Sequence, residues 1–147
     1  MKTLFFMWAV MLLSFSTAAQ NTTDLLNHYI DVKNALVKSD SKGASQAIET
    51  FYQSLKNDQN FAQKDNLLKA TNKLSKANNL EKQRASFNEV STLMWKLVKG
   101  SDTVNQTVYY QYCPMKKAYW LSREKEIKNP YYGSSMLTCG KVSETNK

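Results

Sequence analysis

Residues 22–56, TTDLLNHYIDVKNALVKSDSKGASQAIETFYQSLK, carry two runs of apolar side chains separated by a short polar break. In each run the apolar residues recur every three or four positions, the spacing that puts side chains on one face of an α-helix. The residues with this spacing are Leu25, Tyr29, Val32 and Leu36 in the first run and Ala44, Ala47, Ile48, Phe51 and Leu55 in the second. The break, residues 39–43, contains Ser, Asp and Gly, which disfavour a helix interior. The stretch therefore predicts two amphipathic helices, each of which must bury one face.

The same spacing continues up to residue 98, first more weakly over residues 61–77 and then clearly over residues 80–98. Proline is absent from residues 22–100, and Gly100 stands where the last run ends, a residue suited to the left-handed turn after a helix. Four such helices joined by short polar turns pack most simply on their neighbours. The pattern predicts a mainly α fold, an up-down four-helix bundle over residues 20–100.

After Gly100 the composition changes. β-branched and aromatic residues become dense towards Cys113, and the two prolines of the chain, Pro114 and Pro130, fall in this last third. This composition favours two or three short strands joined by loops. We expect residues 101–147 to form a small loop-rich β unit that packs on the helices through Tyr109, Trp120 and Leu121. The unit is too small to stand alone, so residues 20–147 form one domain.

The N-terminus has the three parts of a secretory signal peptide: the positive Lys2, an apolar run from Leu4 to Phe15, and small residues at 16–19. We expect cleavage after Ala19 and export to the bacterial periplasm. The apolar run is shorter than the roughly 20 residues that a spanning helix needs, and no second run follows it. The mature chain is therefore predicted to have no membrane span.

The chain is basic, with 20 Lys and Arg against 12 Asp and Glu and a formal net charge of +8. The lysines are scattered rather than grouped in a block, as on a solvated surface. An exported protein also rarely meets nucleic acid, so we do not expect a nucleic-acid partner.

Four sulfur side chains lie in the C-terminal unit, in the runs Cys113-Pro114-Met115 and Met136-Leu137-Thr138-Cys139. If residues 113–115 are extended, Cys113 and Met115 point to the same side, and a turn at Cys139 can direct Met136 likewise. Two thiolates and two thioethers that converge make a soft metal site, which suits Cu(I) and, with other ligands, Zn(II). Methionine favours copper. His28, the only histidine, is a candidate extra ligand.

A disulfide between Cys113 and Cys139 is the alternative, because an exported chain enters an oxidising compartment. Closing that loop would stabilise the fold by roughly 3 to 4 kcal/mol in the chain-entropy model. The protein would then be a metal-free interaction domain of the cell envelope. Its partner-binding residues would be aromatic: Trp120, Tyr131 and Tyr132.

Enzymatic motifs do not accompany these residues. There is no Cys-x-x-Cys, no nucleophile elbow, no phosphate-binding loop and no metalloprotease motif. No pair of carboxylates is marked out for acid and base roles. We therefore expect no catalytic activity.

Four runs of the C-terminal unit resemble the C-terminal signature of a bacterial family known as domain of unknown function 3347. They are residues 110–115, YQYCPM, residues 118–122, AYWLS, residues 126–133, EIKNPYYG, and residues 136–140, MLTCG. Residues 29–40, YIDVKNALVKSD, are similar to the first helix of the family.

The resemblance implies a setting for the sulfur cluster. The family occurs in bacterial envelope proteins, alone or attached to periplasmic adaptor subunits of heavy-metal efflux pumps. This setting points to metals, and the paired sulfur clusters in an exported chain then lead to our hypothesis: a periplasmic accessory protein that binds Cu(I) or Ag(I) and sequesters the ion or passes it to an efflux adaptor.

Overall fold

The computed structural model describes residues 17–58 and 61–147 of the chain. Within them lie four helices, α1 Thr17–Val37, α2 Ser41–Asn57, α3 Lys64–Ser75 and α4 Leu80–Lys99, then three strands, β1 Val108–Cys113, β2 Ala118–Ser122 and β3 Lys141–Asn146. A short 3₁₀ turn, Gly133–Ser135, precedes β3. A mainly α fold with a small C-terminal β unit is confirmed. The predicted signal peptide, residues 1–19, falls mainly on residues that lie outside the described part. None of the described helices is long and apolar enough to span a membrane.

Short polar side chains begin two of the helices. Asp40 caps α2 by accepting a hydrogen bond from the backbone N–H of Gly43 at 2.8 Å. Asn79 caps α4 by accepting one from the backbone N–H of Lys82 at 2.9 Å. Each bond satisfies a donor that the first helical turn leaves unpaired. Gly100 ends α4 where the sequence predicts, but its φ of −87° is not the expected left-handed conformation.

The apolar faces of the helices meet in one core. The residues of α1 and α2 that the spacing singles out are buried except Ala47, which is partly buried and packs against the core. Tyr29 of α1 stacks on Phe87 of α4 with 5.1 Å between ring centroids and meets Phe51 of α2 edge-on at 6.5 Å. Successive helices pack on one another, and α1 also contacts α4. The alternating up-down direction of the helices stays a prediction.

The three strands form one antiparallel sheet in the order β2-β1-β3. The outer edge of β2 lies against the helices: the backbone N–H of Leu121 donates to the Tyr29 hydroxyl at 3.0 Å, and that of Tyr119 donates to Asn88 Oδ1 at 2.8 Å. Helical side chains thus satisfy an edge that would otherwise be open to water or to another strand.

Ring stacking joins the sheet to α4 as well. Tyr110 stacks on Trp95 with 4.8 Å between centroids. Trp120 and Leu121 are buried as predicted, whereas Tyr109 is partly exposed. The neighbouring Tyr110 therefore makes the contact expected of Tyr109, because its side chain lies on the sheet face towards α4.

Candidate metal centre

Cys113 and Cys139 lie next to each other. Their Sγ atoms are 3.9 Å apart, although the residues are 26 positions apart in the chain. Cys113 is buried in the core, while Cys139 is partly buried and packs against it. Both are free thiols.

Strand register explains why the two thiols meet. β1 ends at Cys113, and Tyr112, one residue earlier, pairs with Lys141 at the start of β3. The chain that enters β3 must therefore pass the end of β1. Cys139, two residues before Lys141, is on that entering segment and so comes beside Cys113.

Asn129 holds this segment in place. Its side chain is buried, with Nδ2 donating to the carbonyl oxygen of Cys139 at 2.6 Å and Oδ1 accepting from the backbone N–H of Tyr131 at 2.8 Å. Its backbone N–H donates to the carbonyl oxygen of Leu137 at 2.8 Å, and its own carbonyl accepts from Gly133 at 2.9 Å. One side chain and its peptide groups thus fix the loop from Asn129 to Cys139.

Gly140 fits where a side chain would not. It adopts φ +151°, and a Cβ atom there would lie 2.8 Å from the Trp120 ring and 3.0 Å from the carbonyl oxygen of Tyr112. A glycine at this position lets the chain pass close to the sheet directly after Cys139.

The surroundings of Cys139 favour its protonated form. Burial raises the pKa of the Cys139 thiol, and the neighbouring Cys113 thiol raises it further. Two thiolates this close would repel each other, so the uncharged form is favoured in the absence of a cation. A metal ion that binds the sulfur of Cys139 must displace its proton.

Met115 and Met136 are each close in sequence to one of the two cysteines. The backbone at Met115 does not have the extended conformation that we predicted. β1 ends at Cys113, and Met115 lies in the turn that joins β1 to β2, with 63 % of its surface exposed. The extended geometry assumed for residues 113–115 is therefore wrong, because the chain reverses at once to pair Ala118 with Cys113. Met136 is 37 % exposed, and its carbonyl oxygen accepts a hydrogen bond from the Cys139 N–H at 3.1 Å. That bond closes the turn which carries Met136 next to Cys139.

His28 is on α1 and half-buried. Within residues 17–58 and 61–147, no three His, Cys, Asp or Glu side chains come together as a group that could hold a metal. The structure therefore brings the two cysteines together without His28.

The three aromatic residues proposed to bind a partner differ in accessibility. Trp120 and Tyr131 are buried at 0 % and 5 % exposure, and their rings meet at 67° with 6.1 Å between centroids. Burial leaves almost none of either side chain open to a partner, which argues against Trp120 and Tyr131 as the main residues of a docking surface. Tyr132 is half-buried and lies under the ammonium group of Lys116, 5.0 Å from its ring centroid.

Sequence reasoning missed Arg84. Its Nε donates to the carbonyl oxygen of Pro130 at 2.7 Å, and its Nη2 donates to the carbonyl oxygen of Leu36 at 2.9 Å and to Ser39 Oγ at 3.0 Å. It therefore ties the end of α1 to α4 and to the loop that carries Asn129. The composition could have pointed to Arg84, because it is one of two arginines among 20 basic residues. A planar guanidinium suits a place where several acceptors converge.

Comparison with known proteins gives one match. A family model described as protein of unknown function, DUF3347, matches residues 25–106, which cover most of α1 and all of α2, α3 and α4 and end just before β1. The resemblance of the segment after Val108 lies outside this match. No curated protein and no solved structure is detectably similar to the chain. Since the match covers more than half of the sequence, the chain belongs to the DUF3347 family.

Proposed function

We propose that this protein binds Cu(I) or Ag(I) through Cys113 and Cys139 as an exported accessory protein of metal efflux or sequestration. The observation that carries the proposal is the 3.9 Å separation of two unbonded thiols from distant parts of the chain. Its setting, the bacterial periplasm with an efflux adaptor as partner, rests on the signal-like N-terminus and on the resemblance of the C-terminal unit.

Ligand chemistry supports a soft monovalent ion. Two thiolates, with or without added thioethers, suit Cu(I), while a closed zinc site takes four ligands from Cys, His and carboxylates. The described residues place no third such side chain with the cysteines. A two-thiolate site can hold an ion of low coordination number, and Met136 or Met115 can add a thioether when its side chain turns inward.

Proton release accompanies binding in this account. Both thiols must lose a proton, and the raised pKa of Cys139 makes that loss harder at neutral pH. Metal affinity should therefore rise with pH. Ligation and transfer are the whole of the proposed chemistry, without a catalytic step.

A competitive titration with Cu(I) bicinchoninate on the reduced protein tests the proposal. We expect one bound Cu(I) per chain, abolished in both Cys113→Ser and Cys139→Ser, and weaker binding in Met136→Leu. Met94→Leu, a matched change at a buried core methionine of α4, should bind as the parent does. If the reduced protein binds no more Cu(I) than the double Cys-to-Ser variant, the proposal fails.

A disulfide between Cys113 and Cys139 is the second candidate, and the same short distance favours it. Closing the bond requires the sulfur atoms to approach from 3.9 Å to about 2.05 Å. The protein would then be a metal-free interaction domain. Counting free thiols on protein isolated from the periplasm separates the two: two free thiols support the metal site, and none, without metal, supports the disulfide.

A further inference from the structure

A groove runs between the first half of α4 and the turn that joins β1 to β2. It encloses about 680 Å³, room for several residues of an extended chain. Leu80, Arg84 and Asn88 line one wall, and Lys116 and Lys117 line the other. We call it the α4 groove. Neither Cys113 nor Cys139 lines it.

The α4 groove is positively charged. Arg84, Lys116 and Lys117 contribute three cations against the single carboxylate of Glu81. Among the ion pairs of the described residues, none involves these four side chains. The positive charge of the groove is therefore not neutralised within the described chain.

Its polar groups are mostly donors. Arg84 uses Nε and Nη2 in bonds to the protein, and its Nη1 has no protein partner among the described residues. Asn88 uses Oδ1 to accept from Tyr119, which leaves its NH₂ group available. Because these bonds hold Arg84 and Asn88 in place, their free donors are already oriented, and binding an acceptor orders little.

Apolar atoms line the remainder. Leu80, Ala85 and Ala118 contribute small aliphatic surfaces, and Tyr131, which is almost fully buried, also lines the groove. A free inorganic anion would use the donors but leave this surface uncovered. A ligand that fits the whole groove carries carboxylates and small side chains together, as an acidic polypeptide segment does.

We propose that the α4 groove binds an acidic segment of a partner protein, with its carboxylates on Arg84, Lys116 and Lys117. This goes beyond metal binding and stands without it. Lys116 follows Met115 directly in the chain, so a bound segment would lie near the turn that carries Met115.

Fluorescence anisotropy with a labelled peptide of alternating Glu and Ala tests the proposal at low salt. We expect the parent protein to bind it and Lys116→Glu/Lys117→Glu to weaken the Kd at least about tenfold, since two attractions become repulsions. The matched control is Lys56→Glu/Lys96→Glu, the same charge change at two exposed lysines in the last turns of α2 and α4. Its Kd should change less than about threefold. A peptide of alternating Gln and Ala should not bind.

Several results would overturn the proposal. They are no binding by the parent protein, equal weakening in the two double variants, or equal affinity for the Gln peptide. Binding to phosphatidylglycerol vesicles without binding to the peptide would assign the groove to a membrane surface instead. NMR signals of the Arg84 Nε–H and the Asn88 side-chain amide should shift when the peptide is added. These shifts locate the peptide in the α4 groove of the parent protein without any substitution. The Cys113→Ser/Cys139→Ser variant should bind the peptide as the parent does, so failure of the metal proposal leaves this result unchanged.

Discussion

The helices up to Gly100 and the segment that follows are held by different kinds of contact. In the helical region the buried apolar side chains recur every three or four positions, and many of them fill the core together. In the C-terminal unit single residues hold whole segments: Asn129 fixes the loop to Cys139, and Arg84 fixes that loop to the helices. Loss of one side chain in the helical core removes apolar packing, whereas loss of Asn129 or Arg84 removes the hydrogen bonds that hold a whole segment.

The strongest test of the comparison asks whether the two regions unfold together. Phe87 of α4 stacks on Tyr29 in the helical core and lies 6.1 Å from the ring of Tyr131 in the C-terminal unit. We expect Phe87→Ala to lower the free energy of unfolding by about 3–5 kcal/mol. Urea unfolding of the parent protein and of the variant should each show one transition. The curve from far-ultraviolet circular dichroism of the helices should coincide with the curve from near-ultraviolet signals of the sheet aromatics. Phe61→Ala, at a partly exposed position, should have a smaller effect. Two separate transitions would show that the helices and the segment after Gly100 unfold independently, which would contradict this prediction.

Arg84 tests the dependence on single residues. Arg84→Ala removes three hydrogen bonds and leaves the carbonyl oxygens of Leu36 and Pro130 without that donor. We expect the free energy of unfolding to fall by about 2–3 kcal/mol. Arg84→Lys should not restore it, because an ammonium group cannot direct donors along the same fork. Lys82→Ala, at an exposed position of the same helix, is the control and should change stability by less than about 0.5 kcal/mol. Equal stability of the Arg84 and Lys82 variants would contradict this role of Arg84.

Two glycines give a matched comparison of the regions. Gly140→Ala places a Cβ atom 2.8 Å from the Trp120 ring at φ +151°, and we expect a loss of about 1–3 kcal/mol in urea unfolding. At Gly100, which ends α4, a Cβ atom would find its nearest neighbour at 3.5 Å, and Gly100→Ala should be close to neutral. Gly140→Ala should also slow disulfide formation by diamide, since Cys139 is the adjacent residue. Similar losses of unfolding free energy in Gly140→Ala and Gly100→Ala would contradict the difference that we infer between the two regions.

The smallest effect is expected at the surface, where Lys99 of α4 forms an ion pair with Glu144 of β3 at 2.8 Å. The hydrogen bond from Lys99 lowers the pKa of the Glu144 carboxyl. A carboxyl whose pKa is lower in the folded state stabilises above its unfolded pKa, and this contribution is lost as the pH falls through the folded pKa. Both side chains are about half exposed, so Glu144→Gln should cost only about 0.5 kcal/mol at neutral pH and nothing at strongly acidic pH. The control is Asp102→Asn, at an exposed carboxyl outside the ion pairs of the described residues, which should leave the free energy of unfolding at neutral pH nearly unchanged.

Periodicity explains why the helical region could be predicted from the sequence. A residue such as Phe51 lies in the core because its neighbours four positions away are also apolar, which is a local property of the chain. The strand leading to Cys113 could be predicted for a similar reason, since β-branched and aromatic residues surround it.

Non-local contacts explain what could not be predicted. The fit of Gly140 against Trp120 depends on a strand register that no local pattern encodes. The turn at Met115 depends on where β1 stops, and an extended continuation was equally compatible with the residues there. Burial of Tyr131 depends on the docking of its loop, which Arg84 and Asn129 direct from outside the aromatic run itself.

Sulfur ligation at the Cys113 and Cys139 pair is the claim on which the functional account depends. X-ray absorption at the copper edge of the Cu(I)-loaded protein measures it directly. The account predicts a nearest shell of sulfur atoms that disappears in Cys113→Ser/Cys139→Ser. A shell of nitrogen or oxygen atoms, or one that is unchanged in the double variant, would contradict it.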